Sequence, residues 1–133
     1  MSDDHPSMSG TVAAGFPIPA ECNNQGPLDL NTLLVHNKTA TFFVRVSGDS
    51  MIGRGIFDGD ILVVDRSLAP ANNDVIIAAV NGEFTVKTLR IKYVNGEKRY
   101  SLEPANPDFP AITISRGDEL DYFGKVTASI HRH

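Results

Sequence analysis

Residues 74–91 read DVIIAAVNGEFTVKTLRI. Two runs rich in β-branched and aromatic residues flank Asn81-Gly82. Both central positions of a two-residue hairpin turn need a positive φ, which Asn and Gly adopt most readily. The stretch therefore predicts a β-hairpin, and the rest of the chain follows from it. Downstream, KYVNGEKRYSLEP (92–104) repeats the device at Asn95-Gly96. Upstream, TFFVRVS (41–47) alternates, with Phe42, Val44 and Val46 on one side, and DILVVDR (60–66) follows a glycine turn. AITIS (111–115) and LDYFGKVTASIHR (120–132) supply two more strands. Residues 41–133 thus read as a compact, mainly β domain of about seven short, mostly antiparallel strands.

Residues 1–40 differ in kind. Pro6, Pro17, Pro19 and Pro27 alternate with Gly10, Gly15 and Gly26. Proline fixes its own φ and pushes the preceding residue out of the helical region, so the segment predicts an extended, flexible N-terminal arm. LDLNTLLVHN (28–37) is the one modest helix candidate. Asp29 or Asn31 would cap it, with Leu30, Leu33 and Leu34 on one face. The apolar stretch TVAAGFPIPA (11–20) has neither helical nor strand periodicity. It does not read as a secretory signal, because MSDDHPSMSG before it is polar and acidic rather than basic.

Composition narrows the function classes. The 133 residues carry a formal net charge of -4, which argues against direct binding to bare nucleic acid. No apolar run approaches the ~18 residues of a membrane span. Cys22 is the only cysteine, so no intrachain disulfide forms, and a reducing cytoplasm fits. Cys22 reads as a free thiol.

Two short patterns could carry chemistry. SGDSM (47–51) leaves the strand of TFFVRVS, with Gly48 and Asp49 forcing a turn into Ser50. It lacks the glycine two residues after the serine that a nucleophile elbow has, and a polar strand-to-turn corner is the plainer reading of these five residues alone. Lys87 sits in EFTVKTLRI, where strand alternation places it with Leu89 and Ile91. Desolvation on such a face lowers an amine's pKa and makes a neutral base available; an edge lysine reaching outward is the plainer alternative. A serine needs a base, commonly histidine. His5 lies in the arm, His36 just before the β domain with no paired acid evident, and His131 and His133 within the last three residues. His131 and His133 could hold adventitious metal, but no third ligand is in range by sequence. Among serine arrangements, a Ser–Lys pair is the better candidate.

SGDSMIGRGIFDGDILVVD, followed 37 residues after Ser50 by Lys87 in GEFTVKTL, closely resembles the LexA-type self-cleaving serine peptidases, and within them the UmuD and MucA type. AAGFPIPAE resembles the family's cleavage region, and the later strands match in order. The resemblance implies a curled antiparallel sheet of the LexA C-terminal type. It implies Ser50 as nucleophile, Lys87 as general base, the backbone amides of Ser50 and Met51 as oxyanion donors, and Ala14-Gly15 as the scissile bond. No cofactor or metal is implied. The implied partners are a second copy in a homodimer, a RecA–single-stranded DNA filament that stimulates cleavage, and a UmuC-like error-prone DNA polymerase served by residues 15–133. The implied setting is SOS mutagenesis. The stretch from Lys92 to Asp108 looks longer than in the UmuD pattern. LexA-type repressors also carry a helical DNA-binding domain, whereas residues 1–40 show no helix-turn-helix pattern, so a repressor is not expected. Signal peptidases share Ser-Met and a lysine base, but typically have a proline soon after, where this chain has Ile52 and Gly53. A non-enzymatic dimeric polymerase adaptor with a vestigial Ser–Lys pair is the alternative reading.

Overall fold

In the computed structural model the described residues are 29–133. The predicted arm therefore lies outside them up to residue 28, as do Ala14, Gly15 and Cys22. Within the unit Met1–Val35, helix α1 spans Leu30–Leu34. Asp29 is its cap: its carboxylate accepts from the backbone N–H groups of Asn31 and Thr32 at 3.1 and 3.4 Å.

The unit His36–His133 is one seven-stranded sheet, all pairs antiparallel. The strands are β1 (Thr41–Arg45), β2 (Ile61–Asp65), β3 (Val75–Val80), β4 (Glu83–Val94), β5 (Glu97–Glu103), β6 (Ile112–Thr113) and β7 (Leu120–Ile130). Both predicted hairpins form. Asn81 and Gly82 have φ 49° and 88°, and Asn95 and Gly96 have φ 52° and 80°. These values match the primed turn that suits the right-handed twist of two strands. β4, at 12 residues, is longer than the short strands expected, and β7 fills 11 of the 13 residues of the predicted stretch 120–132.

The sheet order is β1-β2-β7-β3-β4-β5-β6, so β7 returns from the far end of the chain to lie between β2 and β3. That central place explains why VIIAAV of β3 is a continuous apolar run rather than an alternating one. Both of its faces are covered, Ile77 packing with Met51, Leu62 and Val64, and Ile76 and Ala78 packing with Leu89 and Leu102. β7 pairs with an extra residue at two points, Thr127 against β2 and Phe123 against β3. Bulges of this kind bend a strand and increase its twist, which curls the sheet. Among the described residues no helix is long and apolar enough to cross a membrane.

Candidate active site

β1 ends at Arg45, and the chain then turns through Val46–Asp49 into Ser50. The turn is built to place Ser50 while hiding its neighbour. Gly48 takes φ 98°, and its N–H donates to the Asp58 carboxylate at 2.7 Å. Met51 is almost fully buried in the core cluster with Leu62 and Ile77. A short 3-10 turn, Ile52–Arg54, follows and closes on Gly55 in the left-handed region. Because Met51 is anchored in the core, Ser50 is left to face the adjoining groove of about 240 Å³. Val44, Val46, Ile77 and Phe84 line that groove, together with Ser50 and Lys87.

Lys87 comes from β4, in register opposite Ile76 of β3. Its Nζ lies 3.0 Å from Ser50 Oγ, 2.8 Å from Thr85 Oγ1 and 3.2 Å from the Val86 carbonyl oxygen. Strand alternation puts Thr85 on the same side as Lys87. Burial pushes the Lys87 pKa below its ordinary 10.5, because desolvation disfavours the ammonium. Among the described residues no carboxylate forms an ion pair with it to oppose that shift. As an ammonium, Nζ donates to all three oxygens; once neutral, it can keep the bonds to Thr85 Oγ1 and the Val86 carbonyl and turn its lone pair to the Ser50 hydroxyl. The N–H groups of Ser50 and Met51 donate to no acceptor among the described residues.

The sequence reading missed a support from the segment after β5. Ala105 N–H donates to the Ser50 carbonyl at 2.7 Å, and Gly53 N–H donates to the Ala105 carbonyl at 2.7 Å. The Asn106 side-chain amide donates to the Asp49 carbonyl at 3.0 Å. These bonds clamp the serine turn, adding to the hold of Asp58 on Gly48. The clamp lies inside the 92–108 stretch that the sequence marked only as longer than expected. No local pattern announces it, since backbone amides make most of it. At Gly53 a Cβ would stand 2.6 Å from the Ala105 carbonyl oxygen, a backbone atom that cannot step aside cheaply. Gly53→Ala is expected to destabilise the fold by about 1–3 kcal/mol, the usual cost of overpacking. A urea titration monitored by circular dichroism checks this, and an unchanged midpoint would contradict the clamp.

His131 and His133 do not approach Ser50. His131 Nδ1 hydrogen-bonds the carboxylate of Asp60, a residue only 2% exposed, and the rings of His131 and His133 meet edge to face. Among the described residues no group of three potential ligands could hold a metal ion.

A family model described as Peptidase S24-like matches residues 6–127. The chain is 42% identical to Protein SamA of Salmonella typhimurium over 127 residues, covering 96% of this chain and 85% of that protein. It is 41% identical to Protein MucA of Escherichia coli over 123 residues, covering 92% of this chain and 81% of that protein. A LexA repressor from Magnetococcus marinus is 38% identical over 122 residues, covering 90% of this chain and 49% of the repressor.

Proposed function

The chain belongs to the Peptidase S24-like family, and on that premise we propose that it is a serine endopeptidase that cuts its own backbone at Ala14-Gly15. The observation that carries this reading is the 3.0 Å approach of Lys87 Nζ to Ser50 Oγ, made by an amine whose pKa is lowered by burial. The neutral amine takes the Ser50 hydroxyl proton as Oγ adds to the Ala14 carbonyl carbon. The oxygen of the resulting tetrahedral adduct is received by the N–H groups of Ser50 and Met51, preorganised donors of the kind that stabilise developing negative charge. The Lys87 ammonium then gives its proton to the Gly15 nitrogen, the C–N bond breaks, and Gly15 becomes a new amino terminus while residues 1–14 stay attached through Ala14. Ala14 remains as an ester on Ser50 until water, deprotonated by Lys87, releases it.

A substrate carried by the same chain reaches a high effective concentration, so the groove needs little affinity of its own. Small Ala13 and Ala14 allow close backbone approach to Ser50. Pro17 and Pro19 favour an extended segment after the cut. In this reading the protein acts in the cytoplasm as a homodimer in SOS mutagenesis. A RecA–single-stranded DNA filament stimulates cleavage by binding the cleavage-competent state better than the resting one. The processed chain then serves a UmuC-like error-prone polymerase in translesion synthesis. The test is incubation of the full chain with and without an activated RecA filament, followed by intact-mass analysis. The expected products are residues 1–14 and 15–133, formed faster with the filament. A chain that stays whole in both arms would leave only the adaptor function.

A further inference from the structure

The Asp60 side chain is almost wholly buried, with a relative exposure of 1%, yet it lies outside the Ser50–Lys87 groove. One carboxylate oxygen accepts from the Phe57 N–H at 2.8 Å, which closes the 57–60 turn. The other is met by His131 Nδ1. Burial alone would raise the Asp60 pKa, but the bonds from Phe57 and His131 overcome it and hold the carboxyl below its ordinary value. The Asp60 backbone is tied to the root of the serine turn. Val46 N–H donates to the Asp60 carbonyl at 2.8 Å, and Gly59 N–H donates to the Val46 carbonyl at 2.9 Å. Val46 is four residues before Ser50. The neighbouring Asp58 accepts from Gly48 N–H at 2.7 Å, only two residues before Ser50.

His131 follows directly on β7, the strand paired with β2 and β3 at the centre of the sheet. Its ring lies against Phe57, with centroids 5.1 Å apart. A line of contacts therefore runs from β7 through His131 and Asp60 to the turn that presents Ser50. The charged and titratable groups around His131 are Asp60, Asp58, Arg45, Arg132 and His133. Of these, the Arg45 guanidinium donates to the Gly59 carbonyl at 3.1 Å and so steadies the same turn from outside. Without His131, one oxygen of a buried carboxylate loses its partner, and a buried ionised group in that state either recruits water or drags its turn toward solvent.

We infer that His131 is a positioning residue for the nucleophile: it completes the hydrogen bonding of buried Asp60 and thereby fixes the 57–60 turn, and with it Ser50, against the end of β1. The inference rests on the peptidase reading, since it gives the strut a reaction to serve. His131 touches neither Ser50 nor Lys87 and does no chemistry itself.

Two readouts on the full chain test it, each for wild type, His131→Ala and His131→Asn. The first is amide hydrogen exchange at Val46, Phe57 and Gly59, with β4–β5 amides as the reference. The second is the rate at which an alkyl fluorophosphonate labels the serine, which reports Ser50 without needing the cleavage segment. In His131→Ala, exchange at the three amides should rise about tenfold with the β4–β5 amides unchanged, and labelling should slow about tenfold. His131→Asn should recover to within about threefold of wild type, because its amide N–H can stand where Nδ1 stands. A uniform rise in exchange across the sheet with no recovery in His131→Asn would make His131 merely structural and overturn the inference. Equal labelling of wild type and His131→Ala would overturn it while sparing the peptidase reading. A wild type that neither labels nor cleaves would remove the peptidase reading, and the positioning role with it.

Discussion

Ser50→Ala stays a single species of full mass under conditions where the wild type converts to residues 15–133. The substitution removes one oxygen at the mouth of the groove and little else. Met51, not Ser50, carries the burial at this turn. The bond from Ala105 N–H goes to the Ser50 carbonyl, which alanine retains. Lys87 loses one of its three partners and keeps Thr85 Oγ1 and the Val86 carbonyl. The stability change is therefore that of one part-buried hydrogen bond, about 0.5–1.5 kcal/mol. The rate change is of another order. Removing the nucleophile leaves only what oxyanion donors and positioning can do, so cleavage should fall by at least about a thousandfold. Intact-mass time courses beside a thermal melt separate the two effects. If Ser50→Ala still releases a chain beginning at Gly15, the nucleophile lies elsewhere, however close Lys87 sits to Ser50.

Much of the sheet was legible because its punctuation is local. Asn81-Gly82 and Asn95-Gly96 need no tertiary context to specify a turn with two positive φ values, and the strands on either side follow from their composition. The insertion of β7 between β2 and β3 was not legible. Nothing in LDYFGKVTASI names its neighbours, and its partners are set by long-range packing around Val64 and Ile77. The length of β4 was underestimated because its ends are exposed, where pattern gives no boundary.

At the site, residue types alone left Ser50 in a plain turn and Lys87 as an unusual strand residue. The lack of a suitable histidine already favoured pairing them, a family resemblance assigned their roles, and the fold brings the two side chains to 3.0 Å. The supports were invisible for a physical reason. Ala105 and Gly53 act through backbone atoms, which carry no sequence signature. Asp60 sits in an ordinary-looking DGD turn, and its burial depends on a strand that begins 60 residues later. His131 looked like a loose metal ligand because sequence spacing cannot show an acid from another element.

Lys87→Met should move activity and stability in opposite directions, which separates a catalytic base from a structural lysine. At neutral pH the wild type keeps a half-buried amine with no carboxylate among the described residues to pair it, and burial lowers its pKa from 10.5. A methionine of similar length fills that space without a charge to desolvate. The variant should therefore melt no lower than the wild type at neutral pH, while cleaving about 10²–10⁴-fold more slowly for want of a general base. The pH dependence follows with a definite sign. Only the neutral amine can accept the Ser50 proton, so wild-type cleavage should rise about tenfold per pH unit and level off above the Lys87 pKa. Because that pKa is lowered, levelling should come below 10.5. Between the folded-state pKa and the ordinary value of the unfolded chain, the unfolded state binds more protons than the folded one. Wild-type stability must then rise with pH across that window. Methionine does not titrate, so the melting difference, wild type minus Lys87→Met, should grow with pH over the same range in which cleavage levels off. Melts and cleavage rates at matched pH test both limbs together. A cleavage rate indifferent to pH, or a melting difference that stays constant across the window, would mean that Lys87 enters the reaction already paired and charged and that some other group takes the serine proton.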